Sequence, residues 1–178
     1  MKVKRSMSSF SKIVSEIRQS ETIRVTDIAL SLKSKGHDII SLSAGEPDFE
    51  TPSIVKRAAI KAINDGKTKY TDVTGIPELK YAIIKKLKEE NSLIYSENEI
   101  IISNGGKQVL YNALCSILNP GDEVIIFKPY WASYPEMIKI FGGRTIEVHS
   151  EGLDFRLPDI NTLRRLTNEK TKCIIMNS

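Results

Sequence analysis

Residues 99–128 read EIIISNGGKQVLYNALCSILNPGDEVIIFK, and this stretch decides the fold. Ile100-Ile101-Ile102 is a short apolar run of the kind that fills a buried strand. Asn104-Gly105-Gly106 interrupts it. From Lys107 to Leu118, apolar Val109, Leu110, Ala113, Leu114 and Ile117 recur at helical spacing. Asn119-Pro120-Gly121-Asp122 stops that helix, and Val124-Ile125-Ile126-Phe127 is a second apolar run. Strands at Glu99–Ser103 and Glu123–Phe127 around one helix imply a right-handed βαβ crossover and parallel pairing.

Working outward, the rhythm continues. A helix is expected from Ser133 to Phe141, a strand from Thr145 to Val148, a helix from Asp159 to Leu166 and a strand from Lys172 to Met176. Upstream, Pro77 opens a helix to about Glu90 with Leu79, Ile83 and Leu87 on one face. Thr51-Pro52 opens another, with Thr51 as N-cap and Pro52 at the first helical position; its apolar pairs at 54/55, 58/59 and 62/63 are spaced by four. Asp38 to Leu42 reads as a short strand, and residues 22–35 as a helix stopped by Gly36. Residues 1–20 have poor periodicity and read as an arm. The whole is α/β with a mostly parallel sheet.

Composition narrows the function. The 178 residues are 40% hydrophobic and 27% charged, which is globular. No apolar run approaches the length of a membrane span. The formal net charge of +4 resides in the first 20 residues, where Lys2, Lys4, Arg5, Lys12 and Arg18 face Glu16 alone. The rest is neutral, so no basic folded face invites nucleic acid. Cys115 and Cys173 lie in apolar segments without CxxC or Cys/His spacing, which reads as buried free thiols in a reducing compartment and no metal site. His37 and His149 are isolated, and no GxSxG elbow exists. The N-terminus lacks the apolar core of a secretory signal; its basic, Ser-rich start has a faint transit-peptide character that Glu16, Glu21 and Asp27 interrupt. A cytoplasmic location is expected.

Ligands of open parallel sheets sit beyond the carboxyl ends of strands. That directs attention to loops 43–50, 104–107 and 128–134, and to a further one beginning at Asn177. Gly105-Gly106-Lys107 opens a helix, so backbone N–H groups and the helix dipole suit a phosphate there. The spacing is neither GxxxxGK[ST] nor GxGxxG, and a tight structural turn is the alternative. Pro129-Tyr130-Trp131-Ala132-Ser133-Tyr134-Pro135 holds the only tryptophan, which either stacks on a flat ligand or covers the sheet edge. The Gly45-Glu46-Pro47 loop either offers a backbone N–H to a carboxylate or is an ordinary turn.

Five motifs occur in order: Ser43-Ala44-Gly45-Glu46-Pro47-Asp48-Phe49; Lys69-Tyr70-Thr71 with Gly75-Ile76-Pro77-Glu78-Leu79; Ser103-Asn104-Gly105-Gly106-Lys107-Gln108; Pro120-Gly121-Asp122-Glu123-Val124; and Pro129-Tyr130-Trp131 with Ser133-Tyr134-Pro135. The series resembles the fold-type I, class I aminotransferases, most closely the bacterial aspartate aminotransferases of the aspartate/prephenate type, from about residue 15 onward. The resemblance implies the N-terminal part of a three-layer α/β/α large domain (46–178), preceded by an arm and partial small domain (1–45). It implies pyridoxal 5′-phosphate as cofactor, cupped by Gly105, Gly106 and Lys107, with Trp131 stacked on its ring. Tyr70 would reach the phosphate of the partner subunit in a homodimer, and Gly45 would meet the substrate carboxylate. Arg18 stands where dual-specificity relatives carry a lysine for a second carboxylate, and Gln19 follows where proline is usual.

The same resemblance places other parts further along the family's chain, which is more than twice as long. Asn177-Ser178 matches the start of the NSPxNPTG loop. The ring-contacting asparagine, the aspartate for the pyridine nitrogen, the lysine that binds the cofactor covalently and the arginine for the α-carboxylate all come later. Lys107 belongs to the phosphate turn and cannot replace that lysine, so no catalytic residue is assigned here. The expectation is an N-terminal portion of a transaminase for an amino acid, aspartate or glutamate first, and a 2-oxo acid, inactive by itself. The alternatives are one half of a split enzyme completed by a C-terminal polypeptide, or a non-catalytic phosphate-binding or dimerisation module.

Overall fold

The computed structural model describes residues 11–18, 20–43, 45–149 and 158–177. In chain order the elements are α1 (Lys12–Ser15), α2 (Glu21–Ser34), α3 (Ser53–Asn64), α4 (Pro77–Asn91), a 3-10 turn (Glu97–Glu99), α5 (Gly105–Ile117), β1 (Glu123–Lys128), α6 (Ser133–Ile140), β2 (Arg144–His149), α7 (Ile160–Leu166) and β3 (Thr171–Ile175). The chain falls into two compact units, Met1–Ala44 with Tyr111–Ser178, and Gly45–Leu110.

The first unit contains the sheet. Its strands run in the order β2-β1-β3, with β1 parallel to both neighbours. Ile125 stands opposite Ile146 and Ile174. Val124, Ile125 and Ile126 are wholly buried although successive side chains point to opposite faces, so both faces of β1 are covered. Each such side chain contributes about 1.5–3 kcal/mol when taken out of water. Tyr134, Met137 and Ile138 on α6 add to this core at helical spacing, and α6 packs on β2. Lys139 on α6 ties down α1: its Nζ donates to the Glu16 carbonyl at 2.9 Å.

Glu123 begins β1 buried, which is costly for a carboxylate without partners. Asn168 Nδ2 donates to its Oε2 at 2.9 Å, and Arg144 Nη2 lies 3.5 Å from Oε1. The edge strand β3 alternates half-buried and exposed positions, so Cys173 is only partly covered; its burial still pushes the thiol up. Cys115 on α5 is exposed. The expectation of two buried thiols therefore fails: an edge strand and a helix each turn part of their surface away from the core.

In the unit Gly45–Leu110, α3 begins at Ser53, with Pro52 as N-cap and no side-chain cap, one residue later than the sequence suggests. None of its side chains is buried. On α4, Pro77 occupies the first turn as expected. Its covered side is Lys80, Ile83, Ile84 and Leu87, while Leu79 is 43% exposed.

Two expected strands do not form. Residues 38–42 are irregular, with Ile40 and Leu42 88% and 93% exposed. Residues 100–103 follow the 3-10 turn without joining the sheet; the Ile102 N–H donates to the Thr74 carbonyl at 3.0 Å instead. An apolar run makes a strand only where a neighbour completes the ladder.

Candidate functional site

The turn before α5 is built around Gly105. Gly105 has φ +80°, a conformation that a residue with a Cβ rarely adopts. Its N–H donates to the Ser103 carbonyl at 2.9 Å, and Gln108 Oε1 accepts from the Asn104 N–H at 2.7 Å. These bonds fix the turn. A Cβ on Gly105 or Gly106 would meet nothing within 4 Å, so open space lies beside both glycines. The first turn of α5 carries no acidic residue. A helix start with open approach, positive partial charge and no opposing carboxylate fits a phosphate group. Gly105 gives its own N–H to the Ser103 carbonyl, so its part is to shape the turn. Tyr70 and Gly45, in the same unit, are both exposed.

The carboxyl edge of the sheet lies in the other unit. Because the strands are parallel, Lys128, His149 and Ile175 end on one side. The Lys128–Pro129 peptide is cis. Trp131 follows, 54% exposed, and its carbonyl accepts from the Tyr134 N–H at 3.0 Å. The Tyr134 hydroxyl lies 3.4 Å from Asn177 Oδ1, which draws Asn177, two residues beyond β3, toward α6. Arg18 is exposed, and its backbone N–H donates to Glu136 Oε2 at 3.3 Å.

Sequence reasoning missed a cluster at this edge. The Tyr130 hydroxyl donates to one oxygen of Glu147, and Lys128 Nζ pairs with the other. Burial, then the hydrogen bond to Glu147 and its charge, pushes the Tyr130 phenol up to about 12. The Lys128 ammonium first, and the Tyr130 hydroxyl second, hold Glu147 below the usual carboxylate range. The cluster clamps both sides of Pro129 and so supports the loop that carries Trp131. Its signal was present in sequence only as alternation along β2, which places Glu147 and His149 on one face.

Among the described residues there is no group of three or more His, Cys, Asp and Glu side chains that could hold a metal, and no helix long and apolar enough to cross a membrane.

One unit is thus an α/β layer with an aromatic-lined carboxyl edge, and the other presents an anion-ready helix start. Residues 37–178 match the family described as aminotransferase class I and II, and the chain belongs to that family. It is 49% identical over 173 residues to a probable aspartate/prephenate aminotransferase of Rhizobium leguminosarum, covering 97% of this chain and 43% of that one. It is 44% identical to the aspartate/prephenate aminotransferase of Thermus thermophilus, covering 97% and 45%. The solved aspartate aminotransferase from Thermus thermophilus with maleate superposes with a TM-score of 0.91 at 44% identity, again over 97% and 45% of the two chains. The chain therefore spans less than half the length of these relatives, and it corresponds to their N-terminal portion.

Proposed function

We propose that this chain is the part of a pyridoxal 5′-phosphate-dependent aminotransferase that receives the cofactor phosphate, and that the enzyme moves an amino group between an amino acid, aspartate or glutamate first, and a 2-oxo acid. The observation that carries this reading is the open, acid-free start of α5 behind Gly105-Gly106. When bound, the cofactor supplies the electron sink for amino-group transfer. Gly105 shapes the turn, while Gly106 and Lys107 hold the phosphate. Trp131 stacks on the ring, and the Lys128–Glu147–Tyr130 clamp keeps its loop in place. Gly45 meets the substrate carboxylate, and Arg18 serves a second carboxylate. Tyr70 contacts the phosphate held by the other subunit of a homodimer.

The domain division follows the same reading: residues 1–45 form an arm and part of a small domain, and 46–178 the beginning of the large domain. A cytoplasmic location belongs to it too.

The test compares pyridoxal 5′-phosphate with pyridoxal, which lacks the phosphate, by equilibrium dialysis against the chain and against Gly106→Asp. The phosphate form is expected to bind tighter by about tenfold or more, and Gly106→Asp to abolish the difference. The thermal midpoint should hold, because a carboxylate in the first turn suits the helix dipole. Equal affinities for the two compounds would sink the phosphate assignment.

A further inference from the structure

The charged side chains buried among the described residues are Glu123 and Lys80. Glu123 is accounted for by the base of the sheet. Lys80 serves no part of the reading above, yet an ammonium kept from water requires compensation. Its Nζ donates to Thr74 Oγ1 at 2.6 Å and lies 4.0 Å from Glu97 Oε1.

Thr74 is the centre of a small network. Its hydroxyl and its N–H both donate to Asp72 Oδ1, the N–H at 2.7 Å. The Gly75 N–H donates to the Asp72 carbonyl at 3.1 Å, which closes the turn 72–75. The Thr74 carbonyl accepts from Ile102 N–H at 3.0 Å. A second observation fixes the same junction. Gly75 has φ +111°, and a Cβ there would stand 2.5 Å from Ile102 Cδ1. Only glycine allows the 72–75 turn to lie this close to Ile102.

This junction sits between two segments of interest in the same unit. Tyr70 is two residues before Asp72, and Ser103 to Lys107, the anion turn, begins one residue after Ile102. We propose that Lys80 is a positioning residue for the phosphate site: its buried ammonium, acting through Thr74, seats the 72–75 turn on Ile102 and so sets the anion turn at 103–107 and the loop bearing Tyr70. The inference rests on the phosphate reading given under Proposed function. Consistent with it, hydrogen bonds from Thr74, side chain first and backbone second, hold the Asp72 carboxyl below its ordinary value, and the Lys80 charge adds to this.

The test uses the full chain with Lys80→Met, which keeps the methylene packing and removes the charge, Thr74→Val, which removes the hydroxyl at constant shape, and Lys80→Arg, which restores a cation. Two quantities are read. The first is hydrogen exchange of the Ile102 amide without any ligand, with the interior amides of α3 as reference. The second is the ratio of pyridoxal to pyridoxal 5′-phosphate dissociation constants. Lys80→Met and Thr74→Val are expected to speed Ile102 exchange and to lower the ratio, each by about tenfold, with α3 amides unchanged and with Lys80→Arg restoring both. Unchanged Ile102 exchange in both Lys80→Met and Thr74→Val overturns the proposal. So does acceleration of Ile102 and α3 together, because that is general loosening. A wild-type chain that binds the two compounds equally would sink the phosphate reading, while the Ile102 amide would still decide whether Lys80 holds the junction.

Discussion

β1 and α3 make an instructive pair. Both were legible from their apolar pattern. β1 has four consecutive buried residues, Glu123 to Ile126, and lies between two parallel neighbours. α3 carries Ile54, Val55, Ile60 and Ile63 at 53% to 69% exposure and buries nothing. The difference teaches that patterning reports a face suited to cover, whereas burial reports that cover is present. In β1 the apolar side chains hold the fold together. In α3, within this chain, the helix rests on backbone hydrogen bonds and on surface pairs such as Lys61 with Asp65 at 2.5 Å, which are individually weak.

The largest expected effect breaks the strong side of that comparison. Ile125→Ala should cost about 2–5 kcal/mol in urea unfolding, because the removed atoms leave a cavity between two covered faces. A cost near that of a surface substitution would mean that β1 is not the centre of the core.

The second prediction concerns the polar margin of the same sheet. In an alkaline titration followed by phenolate absorbance, one of the six tyrosines should ionise at about 12, and Tyr130→Phe should remove that step. The folded value stands above the ordinary 10.0, so the stability it contributes is complete below pH 10 and is lost as pH climbs through about 12. Glu147→Gln should move the step down only partway, because burial is the larger cause. For Glu147 the sign is opposite: its folded value is depressed, so its contribution is present above the ordinary carboxylate range and fades as pH falls through the depressed value.

The smallest effect sharpens the weak side. Ile60→Ala, at a position 58% exposed, should change stability by no more than about 0.5 kcal/mol, since alanine is also the better helix former. A loss on the order of 2 kcal/mol would show that the α3 face is covered in solution.

Much of this was readable in the sequence. The alternation from Glu123 to Ile175 gave three strands and the helices between them, because each run is bounded by Pro, Gly or Asn and each strand finds a neighbour. Residues 38–42 and 99–103 have the same local chemistry and no ladder, and nothing local distinguishes the two cases. The turn at 104–107 was readable because Gly105-Gly106 opens a helix, whereas the phosphate proposed for it came from the family resemblance. Lys80 was overlooked because a lysine on an amphipathic helix reads as solvent-facing. Its spacing to Ile83, Ile84 and Leu87, at three, four and seven residues, was the available signal that it shares their covered side.

The placement of β1 in the middle of the sheet also has a consequence in time. A ribosome makes β1 before either of its neighbours, and β3 is the last element of the three. At roughly 5–20 residues per second, the most apolar of the three described strands waits for seconds before both flanks exist. Such a segment is the natural seed for sticking to other unfinished chains. β1 carries its own protection in covalent order: Glu123 at one end and Lys128 at the other bracket the apolar run. Charges in those places act as gatekeepers during synthesis, before they take up their structural partners in the finished sheet.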